Sequence, residues 1–169
     1  MKDKENIYVT AGIVLIIDQI IKLIVTHSLK LYQVIKVIPH FFSICYVKNT
    51  GAAFSIFENN TLFLTIISII VIIILDIMIR KEKNLTKGNC IALGLIMGGI
   101  FGNLVDRILR HYVIDFLSFR IIRYDFPIFN IADIGITVGV GLLIISLFIE
   151  KEDKKLIKNK KGDGNVKLK

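Results

Sequence analysis

Four long apolar runs dominate the sequence, at residues 7–26, 61–79, 89–109 and 128–149. Each run has about 20 residues, which is the length of helix needed to cross the roughly 30 Å hydrocarbon layer of a membrane. Hydrophobic residues make up 54% of the chain, which is more than a soluble domain of this size usually carries. The sequence therefore predicts an all-α membrane fold with four transmembrane helices.

The Lys and Arg residues are distributed unevenly between the segments that join these runs. Fourteen of the 22 lie before the first run, between the second and third runs, or after the fourth, whereas six lie in segments 28–60 and 110–127. The positive-inside rule places the basic segments in the cytoplasm. We therefore expect cytoplasmic termini, two extracytoplasmic loops at 28–60 and 110–127, and one membrane domain over residues 1–150. The Lys-rich segment 151–169 is then a cytoplasmic tail that meets anionic lipid rather than nucleic acid.

The first extracytoplasmic loop contains two segments with strand character. Residues 34–38 and 41–47 are rich in β-branched and aromatic side chains, which favours a small extracytoplasmic β-sheet. Asn49 and Gly51 then mark a turn, followed by small residues. Cys45 lies in this loop and Cys90 at the cytoplasmic start of the third run, so no disulfide is expected.

Charged side chains lie inside the first and third apolar runs. A charge at bilayer depth costs between ~3 and ~10 kcal/mol, so such a residue is by default a candidate for a functional site. Asp18 and Lys22 are one helical turn apart on one face. They either neutralise each other, with Lys22 extending toward the outer boundary, or face the helix bundle and order a site there.

The third run presents two kinds of helix face. Gly94, Gly98 and Gly102 recur every four residues, a pattern that lets helices approach closely in lipid. A neighbouring face carries polar side chains near the outer boundary. These are Asn103, Asp106 and Arg107.

Two further aspartates are expected at the same outer boundary. Asp115 lies among apolar residues in the second outer loop, and Asp133 lies about one turn inside the fourth run, where Asn130, Asp133 and Thr137 share a face. Two carboxylates that meet in a low-dielectric setting cannot both ionise, so they share one proton. This is the arrangement of the aspartic proteases, although paired acids also serve in proton relays. An aspartic hydrolase and a small proton-coupled transporter or assembly factor therefore both fit the residues.

The sequence offers few residues for other hydrolytic mechanisms. The three His residues are scattered and no His-Glu-x-x-His run occurs, so neither a metal nor another cofactor is expected. A Ser–Lys pair would have to come from the outer loops, without any Gly-x-Ser-x-Gly turn. Its candidates are Ser43, Ser55 and Ser118 with Lys36 or Lys48.

Five motifs taken together resemble the lipoprotein signal peptidase family, the bacterial signal peptidase II. The resemblance runs from the first apolar run to the fourth and leaves only the Lys-rich tail outside it. The motifs are Asp18-Gln19-x-x-Lys22, Asn49-x-Gly51-Ala52-Ala53-Phe54-Ser55, Gly99-x-x-Gly102-Asn103-x-x-Asp106-Arg107, Val113-x-Asp115-Phe116 and Phe129-Asn130-x-Ala132-Asp133.

The resemblance implies an aspartic endopeptidase of the bacterial cytoplasmic membrane, active near the outer leaflet. Its substrates would be diacylglyceryl-modified prolipoproteins, cut just before the lipidated Cys. Asp115 and Asp133 would be the catalytic pair. Supporting or substrate-contacting positions would be Asp18, Lys22, Asn49, Gly51, Asn103, Asp106, Arg107 and Asn130. We expect a monomer whose partners are these substrates and membrane lipids.

Overall fold

The computed structural model of the protein describes residues 2–51, 60–82 and 84–163. The predicted turn residues Ala52, Ala53, Phe54 and Ser55 lie outside the described residues. The elements in chain order are α1 (Lys2–Ser28), β1 (Val34–Ile38), β2 (Phe42–Asn49), α2 (Thr61–Lys81), α3 (Lys87–Arg110), β3 (Val113–Ile121), β4 (Tyr124–Asp125) and α4 (Ile131–Asp163).

Among the described residues, four helical segments are long and apolar enough to cross a membrane: Lys4–Ser28, Thr61–Lys81, Lys87–Arg110 and Ile131–Ile149. The predicted four-helix membrane fold is therefore confirmed. The fourth helix begins at Ile131, later than its apolar run, because Phe129 pairs with Leu117 as a short β-bridge. It then continues to Asp163, past the end of that run.

Helix α3 lies at the centre of the bundle, where it packs against the other three helices. Its glycines make this close packing possible. A Cβ atom at Gly98 would lie 2.6 Å from the carbonyl oxygen of Ala11 on α1, and one at Gly94 would lie 2.7 Å from that of Ile7. Gly139 on α4 is equally close to the carbonyl oxygen of Ala92. The predicted close approach of helices at the small residues is confirmed.

Helix α2 presents most of its side chains outward. Only Leu64 and Ile79 are buried among its residues, and its main packing partner is α3. Helix α2 therefore exposes an apolar surface, as expected of a helix that faces lipid. The space between α2 and α4 remains open to a cavity described below.

A four-stranded antiparallel sheet, in the order β1-β2-β3-β4, lies where α1 and α3 end and where α2 and α4 begin. The two predicted strands are confirmed as β1 and β2. We did not predict β3 and β4 in the second loop. The first four residues of β3 are all buried, since β3 is an inner strand with both faces covered, and such a strand shows no alternation of apolar and polar residues.

Replacing Gly98 by Ala should destabilise the bundle. The added methyl group would meet the Ala11 backbone, which cannot move without separating α1 from α3, so we expect a loss of about 1–3 kcal/mol. Gly12→Ala is the matched control, because nothing lies within 4 Å of a Cβ at that position on α1. Thermal unfolding in detergent measures both variants. Equal melting temperatures for the two would contradict the packing argument.

Candidate active site

Asp115 and Asp133 lie on the wall of one cavity of about 600 Å³. Asp115 comes from β3 and Asp133 from the first turn of α4. Asn49, Asn103 and Arg107 line the same cavity. Residues that are far apart in the chain, and that the sequence placed near one membrane boundary, therefore share one site.

Asn130 connects the two aspartates. Its side-chain Nδ2 donates to Oδ1 of Asp115 at 2.6 Å, and its backbone N–H donates to Oδ2 of Asp133 at 3.2 Å. In return the backbone N–H of Asp133 donates to Oδ1 of Asn130 at 3.0 Å. These two reciprocal hydrogen bonds have the geometry of a capping box, which provides acceptors for the free backbone N–H groups at the start of a helix. The start of α4 thus fixes the Asp133 carboxylate.

Asn103 on α3 holds the other oxygen of Asp133. Its Nδ2 donates to Oδ1 of Asp133 at 2.8 Å. Its own Oδ1 accepts from Lys22 Nζ at 3.1 Å and from Asn130 Nδ2 at 3.2 Å. Two donors directed at one oxygen leave only one orientation for the amide, because the NH₂ group cannot accept.

Asn49 performs the corresponding task for Asp115. Its Nδ2 donates to Oδ2 of Asp115 at 2.8 Å, while its Oδ1 accepts from the backbone N–H of Gly51 at 2.9 Å. This turn is held from the other side by Arg107, whose Nη2 donates to the Gly51 carbonyl oxygen at 3.3 Å. The predicted turn at Asn49 and Gly51 therefore supports the position of Asp115.

Behind the aspartates lies a buried cluster of charges formed by Asp18, Lys22 and Asp106, all with 0% exposure. The Lys22 ammonium lies 2.8 Å from Asp18 and 2.8 Å from Asp106. The alternative in which Lys22 extends out of the bundle is therefore wrong, and the pair faces the bundle. The reason is that Asp106 and Asn103 give the ammonium further partners on α3.

Two residues of this cluster were not among the predicted site residues. Gln19 Nε2 lies within 3.2 Å of Asp18 Oδ2 and Asp106 Oδ1, and Arg110 Nη1 donates to Asp106 at 2.6 Å. Arg110 had a sequence signal, because it follows Asp106 by four residues and so lies on the same helix face. Gln19 also had a signal, because it belongs to the first of the five motifs, but it was not assigned to the site. With Lys22 and Arg110 against two aspartates, the cluster is balanced in charge.

Among the described residues the Ser–Lys alternative lacks a hydrogen-bonded pair, although Lys36 lies opposite Ser43 on the neighbouring strand. Ser43 and Ser118 face each other across β2 and β3 and line a different cavity from the aspartates. No hydrogen bond joins either serine to a lysine there. Lys48 instead lies over the ring of Tyr112, at 4.5 Å from its centroid. Ser55 lies outside the described residues.

The electrostatics of the site set Asp115 apart. Its side chain is buried, and this burial raises the pKa of Asp115 to about 7, with the negative charge of Asp133 contributing in the same direction. The hydrogen bonds from Asn49 and Asn130 oppose the rise in pKa. Asp115 therefore holds a proton for much of the time at neutral pH, which suits a carboxyl group that donates.

The rest of the cavity wall is mainly apolar and comes from three helices, from Val113 of β3 and from the segment 126–129. Ser68 belongs to α2, Ile100 to α3, and Ile134, Thr137 and Val138 belong to α4. Among the described residues no group of three or more His, Cys, Asp or Glu side chains is arranged to hold a metal ion. The site therefore offers two carboxylates and several amides beside an apolar cavity, which is suited to acid–base chemistry on an apolar substrate.

Comparisons with known proteins agree with one another. The profile of the family described as Signal peptidase (SPase) II matches residues 10–149. Lipoprotein signal peptidase of Staphylococcus aureus strain JH9 is 41% identical over 145 residues, covering 86% of this chain and 89% of that protein. The same values hold for the protein of that name in strain Newman.

Two solved structures, both titled as bacterial membrane enzymes determined by the in meso method, share the fold. The one at 2.3 Å resolution has a TM-score of 0.81 and 39% identity, and it covers 86% of this chain and 89% of its own. The one at 1.9 Å resolution has a TM-score of 0.75 and 40% identity, covering 82% and 90%. The resemblance given by the five motifs is confirmed, and the chain belongs to the signal peptidase II family.

Proposed function

We propose that this protein is an aspartic endopeptidase that removes signal peptides from diacylglyceryl-modified prolipoproteins, cutting just before the lipidated Cys. Removal of signal peptides from prolipoproteins follows from the family and from its curated relatives. The observation that supports the aspartic chemistry is the pair Asp115 and Asp133, linked through Asn130 on one cavity wall. The family supports a peptidase and not the transporter alternative.

The proposed reaction uses one proton shared by the two carboxyls. Asp133, as carboxylate, takes a proton from a water molecule while the water oxygen attacks the peptide carbonyl carbon. Asp115, as carboxylic acid, hydrogen-bonds the carbonyl oxygen and then gives its proton to the leaving nitrogen as the C–N bond breaks. The pair ends with one proton on Asp133, and transfer of that proton to Asp115 restores the starting state.

The shape of the cavity supports a substrate that arrives through the membrane. Its wall includes Ser68 of α2 and Thr137 of α4, so it lies beneath the gap between these helices. A signal peptide that is already a membrane helix reaches the aspartates by moving sideways through this gap. Asn103 and Asn49 hold the carboxylates, and Arg107 with Gly51 holds the turn beside Asp115.

Replacing either aspartate by Asn should abolish cleavage without unfolding the protein. Each change removes a proton carrier and nearly keeps the shape, so we expect a loss of roughly 10²–10⁴-fold, the range of general acid–base catalysis. The double variant should be scarcely slower than either single one, because residues that act as a unit are not additive. Gel-shift cleavage of a diacylglyceryl-modified precursor by purified protein measures this.

Asp76→Asn is the matched control for this pair, because Asp76 pairs with Arg80 near the end of α2 and does not line the cavity of the proposed site. It should cleave at the normal rate. Substantial turnover by Asp115→Asn or Asp133→Asn, with the melting temperature unchanged, would remove that residue from the mechanism.

The pKa of Asp115 should fall when Asp133 is replaced by Asn. The negative charge of Asp133 contributes to the raised pKa of Asp115, so its removal makes ionisation of Asp115 easier. A pH titration of the Asp115 carboxyl by carbon-13 NMR or infrared spectroscopy measures the change. An unchanged pKa would show that the two groups do not interact.

The same raised pKa predicts the sign of a pH effect on stability. An unfolded Asp ionises near pH 4, whereas the folded protein keeps the Asp115 proton up to about pH 7. The contribution of Asp115 to stability is therefore complete below about pH 4 and is lost as the pH rises to about 7. Asp115→Asn should gain in melting temperature relative to the unaltered protein over this interval.

The orientation that we propose places the termini in the cytoplasm and the sheet outside, as the distribution of Lys and Arg indicates. It can be tested by cysteine labelling in a variant that lacks Cys45 and Cys90. Asn84→Cys, between α2 and α3, should react only from the cytoplasm. Lys36→Cys, on β1, should react only from outside. The opposite pattern would place Asp115 and Asp133 on the cytoplasmic side.

A further inference from the structure

A second cavity, of about 270 Å³, lies in the sheet and does not include Asp115 or Asp133. It is not used by the proposed reaction. The polar residues of its wall are Lys36, His40, Ser43, Ser118, Arg120 and Asp125.

Three of these residues form a row across three strands. Lys36 of β1 lies opposite Ser43 of β2, and Ser43 lies opposite Ser118 of β3. Directly opposed residues in an antiparallel sheet have Cβ atoms about 4.5–5.5 Å apart. One ammonium group and two hydroxyl groups therefore share one face of the sheet within a short distance.

The charges on the cavity wall do not cancel. Arg120 and Asp125 pair with each other, at 2.5 and 3.0 Å, and so neutralise one another. Lys36 makes no ion pair with any described carboxylate, and the hydroxyls of Ser43 and Ser118 have no hydrogen-bond partner within the described residues. One unpaired cation with two available hydroxyls is suited to a phosphate group, for which Lys acts as a point charge.

The surroundings of the cavity indicate that a phosphate group bound there would belong to a membrane lipid. The edge strand β1 exposes apolar side chains on both faces, with Val34 at 56% and Ile35 at 48% exposed, and Val37 and Ile38 both at 49%. A continuous apolar surface of this kind is unfavourable in water but ordinary at a membrane interface. The sheet also lies at the ends of the membrane-spanning helices α1 and α3, so the cavity is at the depth of the lipid headgroups.

We propose that this cavity binds the phosphate of an anionic phospholipid headgroup, with Lys36 as the counter-charge and Ser43 and Ser118 as hydrogen-bond donors. A lipid bound in this cavity would fix the position of the sheet relative to the membrane. Ser118 and Asp115 are three residues apart on β3, about 10 Å at the usual rise of a strand. A lipid held at Ser118 therefore sets the depth of the strand that carries Asp115.

Native mass spectrometry of the full-length protein tests the proposal. Purified protein in a neutral detergent is mixed with equal amounts of phosphatidylglycerol and phosphatidylcholine that have the same acyl chains. We expect preferential retention of phosphatidylglycerol, and a loss of this preference by about tenfold in Lys36→Gln, as for a removed hydrogen bond to a charged group. A variant with both Ser43→Ala and Ser118→Ala should lose part of the preference while keeping the charge of Lys36.

Arg123→Gln is the matched control, because Arg123 is an exposed cation in the turn between β3 and β4 that does not line the cavity. It should keep the preference in full, and thermal unfolding should show every variant to be folded. Equal retention of the two lipids, or an equal loss in Arg123→Gln, would overturn the proposal. Displacement of phosphatidylglycerol by excess inorganic phosphate, which then binds by itself, would reassign the cavity to free phosphate and overturn the lipid assignment.

Discussion

The rest of the structure depends on the buried ammonium group of Lys22. Burial of a charge is strongly unfavourable unless every donor has a partner, and Lys22 directs its N–H groups to Asp18, Asp106 and Asn103 at 2.8, 2.8 and 3.1 Å. Each partner then fixes another element. Asp18 Oδ1 accepts from the backbone N–H of Ala132, and Asp106 Oδ2 accepts from that of Ile114.

The two backbone N–H groups in these contacts belong to the residues that come directly before the proposed catalytic aspartates. Ile114 precedes Asp115 on β3, and Ala132 precedes Asp133 on α4. The charge cluster therefore holds the backbone on which both carboxylates are mounted, although it touches neither of them. A group held by charge-assisted hydrogen bonds in a low-dielectric interior is held firmly, because the alternative is an unpaired buried charge.

The cluster exists only because the helices approach closely. A Cβ atom at Gly102 would lie 2.6 Å from Oδ2 of Asp18, so any other residue there would move the carboxylate that pairs with Lys22. Gly98 brings α1 to α3, and Gly135 brings α4 to within 3.0 Å of the Leu95 carbonyl oxygen for an added Cβ. The glycines of the membrane-spanning helices are thus required for the charged side chains to meet.

The sequence predicted those features that depend on local pattern. Apolar length gave the four helices, glycine spacing gave the close packing of α3, and β-branched composition gave β1 and β2. The sequence did not predict β3, because a strand that is covered on both faces shows no alternation of apolar and polar residues. It also did not decide whether Lys22 faces the helix bundle, because this orientation depends on Asp106 from another helix. The capping box from Asn130 to Asp133 was visible as a spacing of three but had no known helix start to confirm it.

The side-chain donors around the two aspartates are neutral amides, and those at Asp115 oppose the rise in its pKa without cancelling it. Asp115 accepts from Asn49 and Asn130, and Asp133 accepts from Asn103 and from a backbone N–H. Among the described residues, neither carboxylate accepts a hydrogen bond from a Lys or Arg.

This choice of donors matters for the proposed chemistry. A cation in direct contact lowers the pKa of a carboxyl by about 1–3 units, and an aspartate so paired would be ionised at neutral pH and unable to donate. Arg107 is instead bonded to the Gly51 carbonyl oxygen, and the charge of Lys22 is opposed by Asp18 and Asp106. Neutral amides fix the geometry of the carboxylates, while burial and the charge of Asp133 keep the pKa of Asp115 at about 7. The charges that hold the backbone are thus separate from the proton that the proposed reaction uses.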